Sequence, residues 1–281
     1  MSPVQAALDA GALRHLLDLA PEAARWLVAL ALGVARPLAL VSLFPAFSRT
    51  GIAGPVRGAV AVALCLPALP AIDQALAASQ ASAVWVLLLS LKEAALGTAL
   101  GLLLGTPFWA LEIGGDLLDL QRGATQGRLD DPSGFGDLSI TGSFLVVLGI
   151  ALFAGSGGLE VLAGSLYRSW RIWPPLGLLP PLGPATPALL LGLLDQVTRQ
   201  AIRLAAPVML AMLLADVSLI LAGRVAPNLR IDNQALAARN LAFFVFLPLY
   251  AAFLLFYMQQ DMSGMRGAVE VLSTALPSAA P

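Results

Sequence analysis

A chain of 281 residues that is 58% hydrophobic and only 12% charged falls outside the composition of soluble domains, which are about 45–50% apolar and about 25% charged. The shortage of charge marks a membrane-embedded protein. A net charge of −1 leaves no electrostatic footprint for nucleic acid, and a single cysteine, Cys65, excludes an intramolecular disulfide and any multi-cysteine metal site.

Residues 1–25 carry Asp9, Arg14, Asp18, Glu22 and Arg25 among leucines at roughly helical spacing. No basic stretch precedes an apolar core. The pattern is that of an amphipathic helix on a surface or a partner, not of a signal peptide. The first apolar run, Trp26–Phe47, is long enough for a hydrocarbon core of about 30 Å. Arg36 and Pro37 interrupt it. The proline is expected to bend the helix, and the arginine to face protein or water. Beyond the turn SRTGIAGPVR, the run Val56–Leu69 is too short to span comfortably and is ended by Pro67 and Pro70. The two runs together read as a helical hairpin.

The third run, Val84–Leu104, contains Lys92 and Glu93. Adjacent residues do not face each other on a helix, so each is expected to find its partner on a different neighbour. Glu93, Gly97, Gly101 and Gly105 are spaced four apart and form one stripe. Small residues at this spacing let another helix approach closely. The segment 112–137 is richer in acids and glycine, and its second half has the turn chemistry of a loop. The run Leu138–Leu166 is broken at GSGG (155–158) and holds one acid, Glu160. The tryptophans and tyrosine of LYRSWRIWPP stand beside arginines, as at a membrane–water boundary. The proline-rich stretch 173–187 reads as an extended connection.

Residues 188–222 form either one long bent helix or two joined near Pro207. Asp195, Arg199 and Arg203 make an i, i+4 charge ladder that requires a polar environment. Asp216 is isolated in the apolar part of this run, so it needs a cation, with Arg203, Arg224 or an arginine of a partner subunit as candidates. The last run, Leu241–Met258, contains Pro248, and the tail 259–281 is expected to be flexible. The positive-inside rule assigns 223–240, with Arg224, Arg230 and Arg239, to the cytoplasmic side, and the acid-rich 112–137 to the opposite side. The remaining arginines do not alternate with these. Charges inside almost every apolar run imply that many helices pack against protein rather than lipid.

Signals of catalysis are weak. His15 is the one histidine, in the charged N-terminal helix, and Asp130-Asp131 lies in a Gly/Pro loop where paired acids form turns. There is no phosphate loop, and GSGGLE lacks the third glycine of a dinucleotide fingerprint.

Three segments in order, LDLQRGATQGRLDDP (118–132), LYRSWRIWPP (166–175) and AAPVMLAMLLADVSLILAGRVAPNLRI (205–231), resemble the T subunit of the type III secretion export apparatus. That is the SctT family, which includes YscT, SpaR and HrcT and has FliR as its flagellar relative. FPAFSRTGIAGPVRGAVAVALCLPALP (44–70) and LKEAALGTALG (91–101) fit the same pattern. The resemblance covers roughly residues 26–258, and Tyr167–Pro174 is similar to the injectisome branch. Where the family often has Pro-x-Lys after the arginine-rich turn, this chain has Ala238-Arg239: the positive charge is kept and the helix-entering proline is lost.

The resemblance implies an all-α fold: a polytopic membrane-type protein of broken helical hairpins, one domain over 1–281. It implies a non-enzymatic subunit of the export gate with no cofactor, placed in the bacterial inner membrane. Its partners would be the R and S subunits, the U and V export proteins, membrane lipid and unfolded secreted proteins in transit. Gly123–Asp137 matches the plug segment of the T subunit, which makes Gly123, Gln126, Leu129, Asp131, Pro132 and Phe135 candidates for a gate loop. Asp216, Arg224 and Arg239 are the candidates for buried charge at assembly. Two other classes remain: a small-solute transporter or channel, which also has broken helices and intramembrane charge, and a polytopic membrane enzyme.

Overall fold

The computed structural model of the chain describes residues 3–79, 82–123, 128–130, 137–177, 186–225 and 231–275. Four helices of about forty residues form the frame: α1 (Pro3–Leu43), α5 (Ala83–Arg122), α8 (Thr186–Val225) and α9 (Ile231–Ala275). Between them lie the short α2 (Pro45–Ser48), α3 (Gly54–Cys65), a 3₁₀ turn at Leu66–Ala68, α4 (Leu69–Ala77), α6 (Ile140–Gly155) and α7 (Gly158–Ile172). At about 1.5 Å per residue each frame helix is roughly 60 Å long, twice the hydrocarbon thickness.

The break points follow local chemistry. Ser82 caps α5, its hydroxyl accepting from the Trp85 N–H, and Gly123 ends it in the left-handed region at φ +76. Ser139 caps α6 in the same way through the Gly142 N–H. Pro107 and Pro207 lie inside helices because the carbonyls they leave without a backbone donor find others. The Thr106 hydroxyl donates to the Leu103 carbonyl at 2.8 Å, and the Tyr250 hydroxyl to the Arg203 carbonyl at 3.3 Å. Residues 188–222 are therefore one helix. Pro67 and Pro70 sit in the first turns of the 3₁₀ segment and of α4, where a missing N–H costs little. So Gly54–Ala77 is long and apolar enough to cross a membrane, in contrast to the short run expected. Likewise α1 runs through residue 25 and Pro37, and α9 continues to Ala275 instead of giving way to a tail at 259.

Contacts fix the directions. Gly97 lies against the Arg36 carbonyl, Gly101 against Leu40, and Gly105 near Pro45, so α1 and α5 run parallel. The α3–α4 segment returns along α1, with Gly33 beside Cys65 and Ile72 and with Arg25 reaching Asp73 at 2.6 Å. α6 and α7 meet at 76°. Thr141, at the start of α6, touches Asp119, while Trp170, in α7, touches Glu93. The pair therefore descends most of the length of α5; among the described residues five helices are long and apolar enough to cross a membrane, or six if this bent pair counts as one span. α8 runs parallel to α5 (Gly114 by Ala201 and Leu204, Gln121 on Met209), and α9 returns along α8. The core centres on Phe44, Phe108 and Phe153, whose ring centroids are 5.2–5.5 Å apart, in the tilted and edge-on arrangements that aromatic pairs favour.

Two expectations are corrected. A ribbon of two strands, β1 (Arg128–Asp130) and β2 (Asp137–Ser139), pairs antiparallel with Leu129 opposite Leu138 in the segment expected to be loop. The charge rule also placed 112–137 and 223–240 on opposite sides, yet the Arg239 guanidinium donates to the Gln121 carbonyl at 3.3 Å. The described parts of both segments lie at the same end of the bundle, called the upper end below. Several of these charges are spent on internal pairs, Glu112 with Arg49, Asp119 with Arg122 and Arg239 with Asp216, and a charge paired inside the bundle carries no topological information.

Candidate functional site: two buried charge centres and the stem of the ribbon

The lower centre joins α1, α5 and α7. Arg36 and Glu93 are fully buried, and the guanidinium donates to Glu93 Oε1 at 2.8 Å while its Nε lies 2.8 Å from Oε2. The same guanidinium donates to Ser169 Oγ at 2.9 Å and to the Trp173 carbonyl at 3.1 Å, and the Trp170 indole N–H donates to Glu93 Oε2 at 3.3 Å. Lys92 also reaches Glu93, with Nζ 2.7 Å from Oε1, so the two adjacent side chains share one site, contrary to the sequence reading. The lysine's long stem lets its ammonium curl back to the carboxylate. It also donates to the carbonyls of Pro174, Pro175 and Gly177 at 2.9–3.1 Å. Two cations thus face one carboxylate. The excess positive charge meets the negative end of α7 and a Pro-Pro turn whose carbonyls are free of helix hydrogen bonds.

The glycines above Glu93 bring α1 and α5 together. A β-carbon on Gly97 would run into the Arg36 carbonyl, and one on Gly101 would lie 3.1 Å from the Leu40 carbonyl. This close approach lets the short reach from Arg36 to Glu93 be made. Two further glycine contacts had no signal in the stripe: Gly115 packs on the Gly142 backbone, and Gly158 on the Phe153 ring.

The upper centre closes the stem of the ribbon. Asp119 accepts from the Arg122 Nε at 2.8 Å, from the Thr141 hydroxyl at 2.5 Å and from the Thr141 N–H at 3.1 Å. Arg122 also lies 4.4 Å from the centre of the Phe243 ring, a cation–π distance. The end of α5 and the start of α6 are therefore pinned on both sides of residues 123–139. Of the candidate loop residues, Gly123 is the left-handed cap and Leu129 lies in β1. Gln126, Asp131, Pro132 and Phe135 lie outside the described residues, as does the side chain of His15.

Asp216 is held by Arg239, whose Nε is 2.7 and 2.9 Å from the two carboxylate oxygens. Arg203 and Arg224, two of the partners proposed from sequence, lie on the same helix. They are displaced by about 20 and 12 Å along its axis at about 1.5 Å per residue, beyond the reach of the side chains. The antiparallel return of α9 brings Arg239 level with Asp216 instead, and Arg224 is exposed near the end of α8. The pair sits beside Gln121, which donates to the Met209 carbonyl at 2.9 Å, so α5, α8 and α9 are tied at the base of the ribbon. The positive charge at Ala238-Arg239 thus has a structural use.

A frame of long apolar helices with internal ion pairs defines an all-α, multi-pass membrane protein. Residues 27–265 match the family described as bacterial export proteins, family 1, and the chain belongs to that family, with its SctT-type members. Relatives include the surface presentation of antigens protein SpaR of Salmonella typhimurium, 32% identical over 75% of this chain and 78% of the relative. The Yop proteins translocation protein T of Yersinia pestis is 30% identical over 76% of this chain and 82% of the relative. The flagellar biosynthetic protein FliR of Pectobacterium carotovorum is 30% identical over 47% of this chain and 51% of the relative.

Proposed function

We propose that this chain is a non-enzymatic subunit of a type III secretion export gate in the bacterial inner membrane. With the R and S subunits it forms the pore through which unfolded secreted proteins enter, and the U and V export proteins dock around it. The observation that carries the reading is the family match over 27–265. The greater coverage shared with SpaR and the Yop translocation protein than with FliR favours an injectisome over a flagellum. The geometry supports a gate role for 123–139. This segment leaves and re-enters the bundle at one end, on a stem fixed by Asp119, Arg122 and Thr141, and its polar backbone must face water or a protein-lined cavity.

Extraction in mild detergent followed by mass analysis tests the assignment. A gate subunit comes out of the membrane with several other small hydrophobic proteins. A chain that purifies alone and moves a small solute in vesicles is a transporter, and the proposal then fails.

A further inference from the structure

The stretch Trp173–Gly177, WPPLG, has five carbonyls but only three backbone N–H groups, because Pro174 and Pro175 have none. Two of the three are spent within the chain nearby. The Trp173 N–H donates to the Ser169 carbonyl, and the Gly177 N–H closes a turn on the Pro174 carbonyl at 3.2 Å. Cations meet the surplus of acceptors. Arg36 donates to the Trp173 carbonyl, and Lys92 Nζ lies 3.1 Å from the Pro174 oxygen and 2.9 Å from those of Pro175 and Gly177. The turn thus curls so that three of its carbonyls converge on one point beside α5.

That point has a fourth oxygen, Glu93 Oε1, 2.7 Å from the same Nζ. An ammonium has three protons to donate, so four oxygens at 2.7–3.1 Å exceed its capacity for hydrogen bonds. Coordination of a spherical charge has no such limit. Backbone carbonyls are the oxygens that replace the hydration shell of potassium in channel filters. The distances are too long for divalent ions: magnesium takes oxygens at about 2.0–2.1 Å and calcium at about 2.3–2.6 Å. The Lys92 side chain is 10% exposed and that of Glu93 0%, so little water competes for the point.

We infer that Pro174, Pro175, Gly177 and Glu93 build a monovalent-cation site of potassium or ammonium size, which the Lys92 ammonium fills from within. Lys92 is a tethered ion, and its positioning task is to hold the turn after α7 against α5. Without it Glu93 keeps Arg36 as its counter-ion, so the buried charge stays balanced while the carbonyl cage loses its cation. A free ion of the same size then takes the place of the lysine. The inference concerns the chain by itself and stands whether or not the export reading does.

The test is thermal unfolding of the full chain in detergent, in chloride salts of choline, lithium, potassium or ammonium at one ionic strength. Lys92→Ala empties the cage, whereas Lys92→Met removes the charge but keeps a stem in the space. In choline or lithium both variants are expected to melt below wild type. Potassium or ammonium is expected to return more than half of the loss to Lys92→Ala and to leave Lys92→Met and wild type unchanged. An equal response of Lys92→Met shows a general salt effect, and no response of Lys92→Ala shows that the four oxygens hold no free ion; either result overturns the inference. It is overturned as well if Lys92→Ala melts like wild type in choline, since the turn then needs no cation, or if Lys92→Ala cannot be recovered folded in potassium, since the ion then does not stand in for the lysine.

Discussion

Arg239 of α9 grips both carboxylate oxygens of Asp216 on α8, and a further nitrogen of the same guanidinium reaches the Gln121 carbonyl one residue before the end of α5. One side chain therefore ties three frame helices at the base of the ribbon. The Asp216 side chain is 18% exposed and that of Arg239 35%, so the pair is shielded but not sealed.

Loss of either partner leaves a charge in an apolar setting. Asp216→Ala is expected to destabilise the chain by about 1.5–3 kcal/mol, the range for a hydrogen bond to a charged group, and to reduce assembly. Asp216→Leu combined with Arg239→Met is expected to recover part of that loss, since no orphan charge remains. Thermal unfolding in detergent measures these forms together with the singles Asp216→Leu and Arg239→Met. A double variant as unstable as the sum of the two singles would show that the pair does not act as a unit.

In the lower centre the arithmetic of charge ranks the variants. Glu93→Ala leaves Arg36 and Lys92 buried without a counter-ion, and breaking a buried pair this way costs about 3–5 kcal/mol. Arg36→Met leaves Glu93 still paired with Lys92, so its cost is smaller. The expected order of melting temperatures is wild type, then Arg36→Met, then Glu93→Ala. The reverse order would mean that Lys92 belongs to the 174–177 carbonyls and does not neutralise Glu93.

The contact between α1 and α5 predicts a graded series. A β-carbon on Gly97 would overlap the Arg36 carbonyl, whereas one on Gly101 would lie 3.1–3.4 Å from Leu40 and Leu43, a contact that needs the neighbours to give by only a few tenths of an ångström. Gly97→Ala should therefore be worse than Gly101→Ala. Gly101→Leu should cost about 1–3 kcal/mol by overpacking. Equal and full assembly of all three variants would place this face away from α1 in the cell.

What could be read from the sequence was local. The stripe Glu93–Gly105 needs only helical spacing, and the need of Asp216 and Arg36 for partners follows from their apolar surroundings. Which partners they take does not follow. Asp216 and Arg239 are brought level by the length of the α8–α9 turn, and Arg36 and Ser169 by three intervening reversals of the chain. Pro207 left one bent helix or two open for a related reason: the carbonyl it frees is met by Tyr250, 47 residues away, a donor no local pattern reveals. Lys92 and Glu93 misled because the adjacency rule concerns where side chains leave the helix, not where a four-carbon stem can end.

The last prediction concerns the segment 123–139. Its stem is held by interactions that do not depend on the tip: the Asp119–Arg122–Thr141 cluster, the Gly123 cap and the Ser139 cap. Replacing 126–135 by a short Gly/Ser linker removes Leu129, Asp131, Pro132 and Phe135 and breaks the pairing of Leu129 with Leu138, yet leaves that stem in place. Assembly should thus survive. If the tip closes a narrow channel through apolar contacts at Leu129 and Phe135, cells carrying the shortened complex should leak small ions or dyes. If instead it is a connector, the membrane stays as tight as in wild type. A control separates the stem from the tip: Thr141→Val, which removes the hydroxyl donated to Asp119, should lower stability by about 1 kcal/mol without opening the membrane in an assembled complex. Leakage from the shortened loop and none from Thr141→Val would assign gating to the tip; a tight membrane after shortening would reject it.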